Sequence, residues 1–222
     1  MRNNGYKPII ALFYPLTLEK GCFMSNKIIT ISREFGSGGK YIGILVAKKL
    51  GIPCYDKDII ERIAEESGFV DDFIKRVSEY APSKSIFAYS FVGRSASGES
   101  IEDRIFAIQK KVIRELADKG PCVIVGRSAD YILRNYDTLD VFIYAPMEDK
   151  IRRTVNFKNL SEKEAKKLIK ETDKKRSINY KYYTGRTWGE RENYTVMLNS
   201  TDLGIEKTAD FIAEIYKKEI QK

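Results

Sequence analysis

Apolar residues in this chain recur in two alternating patterns. Short runs rich in Val and Ile are separated by longer stretches in which apolar positions lie three or four residues apart. The first pattern is typical of buried strands, and the second is typical of helices that bury one face. Their alternation from Lys27 onward predicts an α/β fold in which helices cover a parallel sheet.

Five short runs have the composition of strands, and each is followed by a helical pattern or by a loop and a helical pattern. The runs cover residues 28–32, 53–55, 122–125, 140–145 and 194–199. Three sets of residues show the helical spacing: Ile42, Leu45, Val46 and Leu50; Ile59, Ile60, Ile63 and Ala64; and Ile101, Ile105, Ile108, Val112, Ile113 and Leu116. A further helix is expected to begin near Met147 or Glu148.

Two helix starts are marked by a serine that is followed three positions later by a carboxylate. Ser100 precedes Asp103, and Ser161 precedes Glu164. In this arrangement the two side chains satisfy backbone N–H groups that the first turn leaves without partners. The segment 83–100 is rich in serine and glycine, which predicts a mobile insertion rather than a linker between independent domains.

The first 23 residues are expected to be a flexible extension of a single domain that covers residues 24–222. The extension contains an apolar run at 9–18, but Pro15 interrupts it and charged residues follow where a cleavage site needs small ones. Ten residues are also too few to span a bilayer. We therefore expect Met24 to be the true start and the protein to have no membrane partner.

Histidine is absent from all 222 residues. Its absence excludes Ser-His-Asp and Cys-His triads, histidine-ligated zinc or haem, and imidazole proton relays. The three cysteines are odd in number and form no CxxC pair, so neither a disulfide framework nor a zinc ribbon is indicated. A reducing cytoplasm is the compartment that this cysteine usage favours.

A glycine loop follows the first strand directly. It comprises Glu34, Phe35, Gly36, Ser37, Gly38, Gly39 and Lys40, and a helix is expected to begin at Lys40. Strand, glycine loop and helix form the context of a phosphate-binding loop, whose backbone N–H groups, helix N terminus and lysine all attract phosphate. The P-loop pattern GxxxxGK[ST] has glycine where Glu34 stands and a hydroxyl where Tyr41 stands, so a plain connecting turn remains the alternative on the glycines alone.

The chain resembles the cytidylate kinase-like family of P-loop nucleoside monophosphate kinases. The resemblance rests on residues 31–40, Tyr55 with Asp56, residues 125–127, Arg152 with Arg153, Asp173 with Arg176, and residues 194–199. It implies a P-loop NTPase fold, a three-layer α/β/α arrangement around a five-stranded parallel sheet. It also implies a monophosphate-binding insertion at about 56–105, a helical lid at about 150–191, and ATP-dependent phosphorylation of CMP or dCMP.

The resemblance assigns ATP to the glycine loop and its helix. The ATP-binding residues would be Gly36, Ser37, Gly38, Gly39, Lys40 and Tyr41. Lys40 would bridge the ATP phosphates as charge moves toward the leaving group. Because Tyr41 replaces the usual hydroxyl, Mg²⁺ is expected to be held by ATP, by water and by a nearby serine such as Ser37.

Arginines and acidic residues are assigned to the acceptor and to the transferred group. Arg127 follows the third strand at the carboxyl edge of the sheet, where a guanidinium can hold a phosphate by two hydrogen bonds. Arg152, Arg153 and Arg176 would close over the transferred group, with one of the first two in a structural role.

Two acidic residues complete the assignment. Asp56 and Asp173, together with Arg176, would contact the acceptor nucleotide. A helix cap explains Asp56 equally well, and an ordinary surface ion pair explains the i, i+3 spacing of Asp173 and Arg176 equally well. The family has aspartate after the Gly-Arg pair, whereas this chain has Ser128, which leaves one acceptor contact of the family unassigned.

The charge of the chain is concentrated in the predicted lid. The whole chain has 39 Lys and Arg against 31 Asp and Glu, and residues 150–191 alone have 14 against 5. A cationic cover over phosphates explains this pattern better than a broadly basic nucleic-acid surface does. The aromatic cluster of Tyr180, Tyr182, Tyr183 and Trp188 is accordingly interpreted as packing of the lid against the sheet, not as base stacking on nucleic acid.

The sequence leaves two other functions open. Glu34 and Tyr41 are compatible with a regulatory protein that binds a nucleotide without turnover. A small-molecule kinase with a different acceptor is also compatible, because a fold does not determine the acceptor.

Overall fold

The computed structural model describes residues 27–56 and 101–219. The predictions for residues 1–23, for Met24 as the start, for the helix around Ile59, for the segment 83–100 and for the Ser100 cap lie outside these residues. So does nearly all of the predicted monophosphate-binding insertion.

The described residues form five strands, all close to the predicted positions. They are β1 (Ile28–Arg33), β2 (Cys54–Tyr55), β3 (Val123–Val125), β4 (Thr138–Tyr144) and β5 (Val196–Asn199). Strand β4 starts two residues before the predicted position, at Thr138, because the hydroxyls of Thr138 and Thr30 both donate to the Asp140 carboxylate and satisfy it inside the sheet.

Helices follow the strands in the predicted alternation. They are α1 (Gly39–Leu50), α2 (Ile101–Asp118), α3 (Ala129–Ile132), α4 (Met147–Lys158), α5 (Glu162–Thr184) and α6 (Ile205–Glu219). Helix α5 begins with the predicted capping box, in which the Ser161 hydroxyl accepts from Glu164 N and the Glu164 carboxylate accepts from Ser161 N. Among these helices none is long and apolar enough to cross a membrane.

The sheet is entirely parallel and has the order β2-β3-β1-β4-β5. Strand β1 is central, and the chain builds one side of the sheet before it crosses to the other side. The loop after β1 therefore opens between the carboxyl ends of β3 and β4. This is the topological switch point at which open α/β sheets bind ligands.

Both faces of the sheet are covered, which confirms the three-layer architecture. One face packs its apolar side chains against α2 and α3, through residues such as Ile28, Ile124, Val112 and Leu133. The other face packs against α1 and α6. The alternation of side chains along β1 brings Thr30 and Ser32 onto the first face, where both are buried.

Candidate active site

The glycine loop spans residues 34–38 and leads directly into α1. Gly36 and Gly38 have φ angles of 79° and 81°, a region that favours glycine. A Cβ atom at Gly36 would lie 2.9 Å from the Lys150 carbonyl oxygen, and one at Gly38 would overlap the Ile205 side chain. Both glycines are therefore required by conformation and by close packing.

The N terminus of α1 is open toward an anion. The N-cap residue Gly38 makes no side-chain cap, the Ser37 hydroxyl accepts only a long hydrogen bond of 3.4 Å from Gly39 N, and the first turn contains no acidic residue. The first backbone N–H groups of a helix lack partners within the helix and carry a partial positive charge. The loop and the helix start therefore form the kind of cradle that binds phosphate.

Lys40 lies in the first turn of α1, and its ammonium group is 2.5 Å from the Asp56 carboxylate. The Lys40 side chain is 55% exposed, whereas Asp56 is buried just beyond β2. Asp56 therefore holds the P-loop lysine at the mouth of the cradle. The sequence had offered only an acceptor contact or a helix cap for this carboxylate.

Glu34 replaces the first glycine of the P-loop pattern, and it anchors the loop. Its carboxylate accepts hydrogen bonds from Lys150 Nζ at 2.9 Å and from Ala145 N at 3.3 Å. Lys150 is buried in the first turn of α4. The departure from the pattern thus fastens the glycine loop to the end of β4 and to α4.

Asp173 and Arg176 attach α5 to the same loop. The Asp173 carboxylate accepts from Phe35 N at 2.7 Å, and Arg176 Nη1 donates to the Arg33 carbonyl at 2.9 Å. Arg176 also approaches Asp173 at 3.4 Å. Desolvation raises the pKa of Asp173. These contacts with a distant segment exclude the simple surface ion pair that the spacing allowed.

Arg153 connects the glycine loop to the segment after β5, whereas Arg152 lies at the surface. Arg153 donates to the Ser37 carbonyl at 3.1 Å and to the hydroxyl and carbonyl of Ser200 at 3.0 and 3.2 Å. Burial lowers its pKa. Arg152 is 66% exposed and pairs with Asp149. Of the two arginines, Arg153 therefore makes the structural contacts.

The described residues do not offer a prepared magnesium site. The Ser37 hydroxyl is fully buried, donates to the Glu34 carbonyl at 2.8 Å and faces Gly39 N at 3.4 Å. The carboxylates of Glu34, Asp56 and Asp173 each contact a cationic side chain. Within the described part of the chain no group of three metal-ligating residues occurs. Ser37 therefore does not fit the role of a magnesium ligand in this arrangement.

Three arginines form a cluster at the carboxyl ends of β1 and β3, and we call it the arginine cluster. Its members are Arg33, Arg127 and Arg176. Burial, followed by repulsion from Arg176 and Arg127, lowers the pKa of Arg33 to about 9. The carboxylates of Asp56 and Asp173 act in the opposite direction on Arg33, so three guanidinium groups stand against two carboxylates. A surplus of positive charge of this kind attracts an anion.

The backbone around Arg127 is held in an unusual conformation. Arg127 and Ser128 have φ angles of 58° and 53°, in the left-handed region that residues with a side chain rarely adopt. Strain of this kind persists where the surrounding structure enforces it, commonly at functional sites. Arg33 was not predicted as a site residue, and its position at the end of β1, directly before the glycine loop, is the sequence signal that marks it.

The aromatic cluster packs against the sheet, as predicted, only in part. Tyr180 is buried, Tyr183 stacks on Phe106 with ring centroids 4.0 Å apart, and Trp188 contacts the edge of Phe142. Tyr182 is 68% exposed. These rings hold α5 and the following loop against α2 and β4.

Lys150→Met tests the anchoring of the loop. We expect a loss of about 2–4 kcal/mol in the free energy of unfolding, because Glu34 and Asp173 both lose a buried cation. Urea denaturation measures this loss. Lys167→Met removes the cation of an exposed i, i+4 pair on α5 and is expected to change stability by less than about 0.5 kcal/mol. Equal effects of the two substitutions would contradict the anchoring role.

Comparison with known proteins agrees with this geometry. A family model described as the cytidylate kinase-like family matches residues 28–202. An uncharacterized protein from Eubacterium ventriosum is 25% identical, with a TM-score of 0.67 over 86% of this chain and 98% of that one. No curated protein matches the chain significantly.

Shikimate kinases share the fold at lower identity. The enzyme from Bacteroides thetaiotaomicron is 16% identical, with a TM-score of 0.52 over 86% of this chain and 98% of that one. The enzyme from Acinetobacter baumannii, solved in complex with shikimate, is 16% identical, with a TM-score of 0.51 over 88% and 96% of the two chains. The chain therefore has the fold of P-loop kinases.

Proposed function

The chain belongs to the cytidylate kinase-like family, and we propose that it transfers the terminal phosphoryl group of ATP to a nucleoside monophosphate, with CMP or dCMP as the preferred acceptor. The observation that supports this proposal is the closeness of two candidate anion sites, since a Cβ atom at Gly39 would overlap the Arg33 side chain. One is the glycine loop with Lys40, and the other is the arginine cluster. A phosphoryl transfer between two phosphorylated molecules needs such a pair of sites.

The glycine loop is suited to the β- and γ-phosphates of ATP. Its backbone N–H groups and the open start of α1 supply hydrogen bonds and positive potential. In this mechanism Lys40 leaves Asp56 and contacts the phosphate oxygens when ATP binds. The exchange replaces the contact of Lys40 with a carboxylate by a contact with a phosphate. The ammonium group therefore has an anionic partner both before and after ATP binds.

The arginine cluster is suited to the acceptor phosphate. A nucleoside monophosphate has a dianionic phosphate near neutral pH, and guanidinium groups bind such an anion by paired hydrogen bonds. An oxygen of this phosphate attacks the γ-phosphorus of ATP, the bond from phosphorus to the bridging oxygen breaks, and ADP leaves. The attacking oxygen carries no proton, so the reaction requires no general base. A chain without histidine is therefore well suited to it.

Charge develops on the transferred group during this step, and cationic side chains stabilise it. In this mechanism Lys40 and Arg176 fill that role. Arg176 stands on α5 and is already bonded to the backbone of Arg33. Movement of α5 is therefore coupled to the loop that binds ATP, and closure of the predicted lid would complete the site.

An acceptor panel tests the proposal. Full-length protein with ATP and Mg²⁺ is assayed for ADP with CMP, dCMP, UMP, AMP and shikimate, and without acceptor as a background control. We expect CMP or dCMP to give kcat/KM values at least about tenfold above the others. If ADP forms only with shikimate, the protein is a kinase, but its acceptor is not a nucleoside monophosphate. ATP binding in calorimetry without ADP from any acceptor would favour the regulatory alternative.

A further inference from the structure

A buried polar group joins β1, α3 and α5, the elements that carry or adjoin the three arginines of the cluster. Its centre is Asp130 on α3, which is 3% exposed. The Asp130 carboxylate accepts a hydrogen bond from the Tyr180 hydroxyl on α5 at 2.5 Å and a weak one from the Ser32 hydroxyl on β1 at 3.5 Å. We call Ser32, Asp130 and Tyr180 the buried triad. It joins three elements that are far apart in sequence.

Each member of the buried triad stands close to one arginine of the cluster along the chain. Ser32 directly precedes Arg33 on β1. Asp130 follows Arg127 by three residues, at the start of α3. Tyr180 follows Arg176 by four residues on α5 and therefore lies one helical turn away on the same side of the helix. The triad thus links the three backbone segments that carry the three arginines.

The cluster needs such support because its charges repel one another. Arg176 and Arg127 repel Arg33, the carboxylates of Asp56 and Asp173 offset part of this repulsion, and Arg127 is also held in the left-handed conformation. A carboxylate buried in the core is costly unless hydrogen bonds satisfy it. Among the described residues the Asp130 carboxylate has no counterion at hydrogen-bond distance, and the hydroxyls of Tyr180 and Ser32 donate hydrogen bonds to it.

We propose that Asp130 and Tyr180, with a smaller contribution from Ser32, are positioning residues that set the spacing of the arginine cluster and thereby the affinity for the acceptor phosphate. The link to the acceptor rests on the proposed function. The effect on the spacing of the guanidinium groups does not depend on that function.

The charged and titratable surroundings of Asp130 make the triad sensitive to pH. Asp130 faces Tyr180 on α5, Asp140 on β4, Arg186 in the loop after α5, and Tyr194 ahead of β5. Burial raises the pKa of Asp130 to about 6, in spite of the hydrogen bond from Tyr180. Below that pH the carboxylate takes up a proton and loses strength as an acceptor, so the triad is expected to loosen as the pH falls through 6.

The direct test reads the guanidinium groups in the absence of any substrate. In ¹⁵N-labelled protein, the arginine Nε–Hε resonances are assigned through single Arg→Lys variants. We expect Tyr180→Phe and Asp130→Asn to shift the resonances of Arg33, Arg127 and Arg176. The control Tyr182→Phe makes the same change at an exposed position of the same helix and should leave them unchanged.

The same resonances report the pH dependence. In the wild type they should move with a midpoint near pH 6, and Asp130→Asn should abolish that movement. The kinetic pH profile is not a substitute, because the phosphate of the acceptor itself titrates near pH 6. Unshifted resonances in folded Tyr180→Phe and Asp130→Asn would overturn the proposal, whether or not the protein is a kinase.

Kinetics then test the link to the acceptor. We expect Tyr180→Phe to raise the KM for CMP by about tenfold or more, because small displacements of positioning groups are costly, and to change the KM for ATP less than about twofold. The double variant Asp130→Asn/Tyr180→Phe should resemble the worse single variant, since the two residues act as a unit. Shifted resonances with equal effects on both KM values would reject the assignment of the cluster to the acceptor.

Discussion

Lys40→Met is expected to lower kcat by about 10²–10³-fold, which is the cost of removing one preorganised group that stabilises developing charge. The Lys40 ammonium is half-exposed at the mouth of the cradle and lies beside the Asp56 carboxylate. In the proposed mechanism the backbone of the loop and the start of α1 would also hold ATP in the ground state. The substitution should therefore affect kcat more than the KM for ATP.

Lys48→Met is the matched control for this experiment. Lys48 is an exposed lysine in the last turn of the same helix, two turns away from the cradle. Initial rates of ADP formation at saturating ATP and acceptor measure the effect, and calorimetry with ATP shows whether binding survives. An equal loss of kcat in both variants, or an unchanged kcat in Lys40→Met, would remove Lys40 from the mechanism.

The sequence predicted the sheet and the glycine loop because both depend on local patterns. Runs of β-branched residues fill a sheet that is covered on both faces, so β1, β3 and β4 were found within a few residues. The start of β5 was placed two residues too early. Tyrosine is common in strands, which favoured a start at Tyr194. In the structure Tyr194 follows a short 3₁₀ turn and packs its ring on Phe142 before the strand begins.

The partners of the site residues could not be predicted, because they depend on contacts between distant segments. Glu34 looked like a defect of the P-loop pattern, and only the position of Lys150, 116 residues further along the chain, shows that it is an anchor. The contact of Asp173 with Phe35 N spans 138 residues. A single sequence taken by itself contains no signal for such pairs. The residue types were enough to predict a phosphate-binding site, whereas the partner of each side chain could be identified only from the folded structure.

Gly126→Ala is expected to lower kcat/KM for the acceptor by about 30–100-fold with only a modest loss of stability. Gly126 follows β3 with a φ angle of 81°, and a Cβ atom there would overlap the guanidinium group of Arg33. That group is the far end of a flexible side chain, so Arg33 would move instead of the backbone. The substitution therefore displaces one member of the arginine cluster without changing its charge.

Gly51→Ala separates this effect from the cost of the backbone conformation. Gly51 caps the far end of α1 with a φ angle of 67°, and a Cβ atom there would meet nothing within 4 Å. Both variants carry the left-handed penalty of about 1–2 kcal/mol, but only Gly126→Ala should raise the KM for CMP.

Arg33→Met should raise the KM for CMP in the same way. The double variant Gly126→Ala/Arg33→Met should be no worse than Arg33→Met alone, because both changes remove the same contact. If Gly126→Ala and Gly51→Ala behave alike in kinetics and in urea denaturation, Arg33 makes no contact that matters for the acceptor, and the cluster reduces to Arg127 and Arg176.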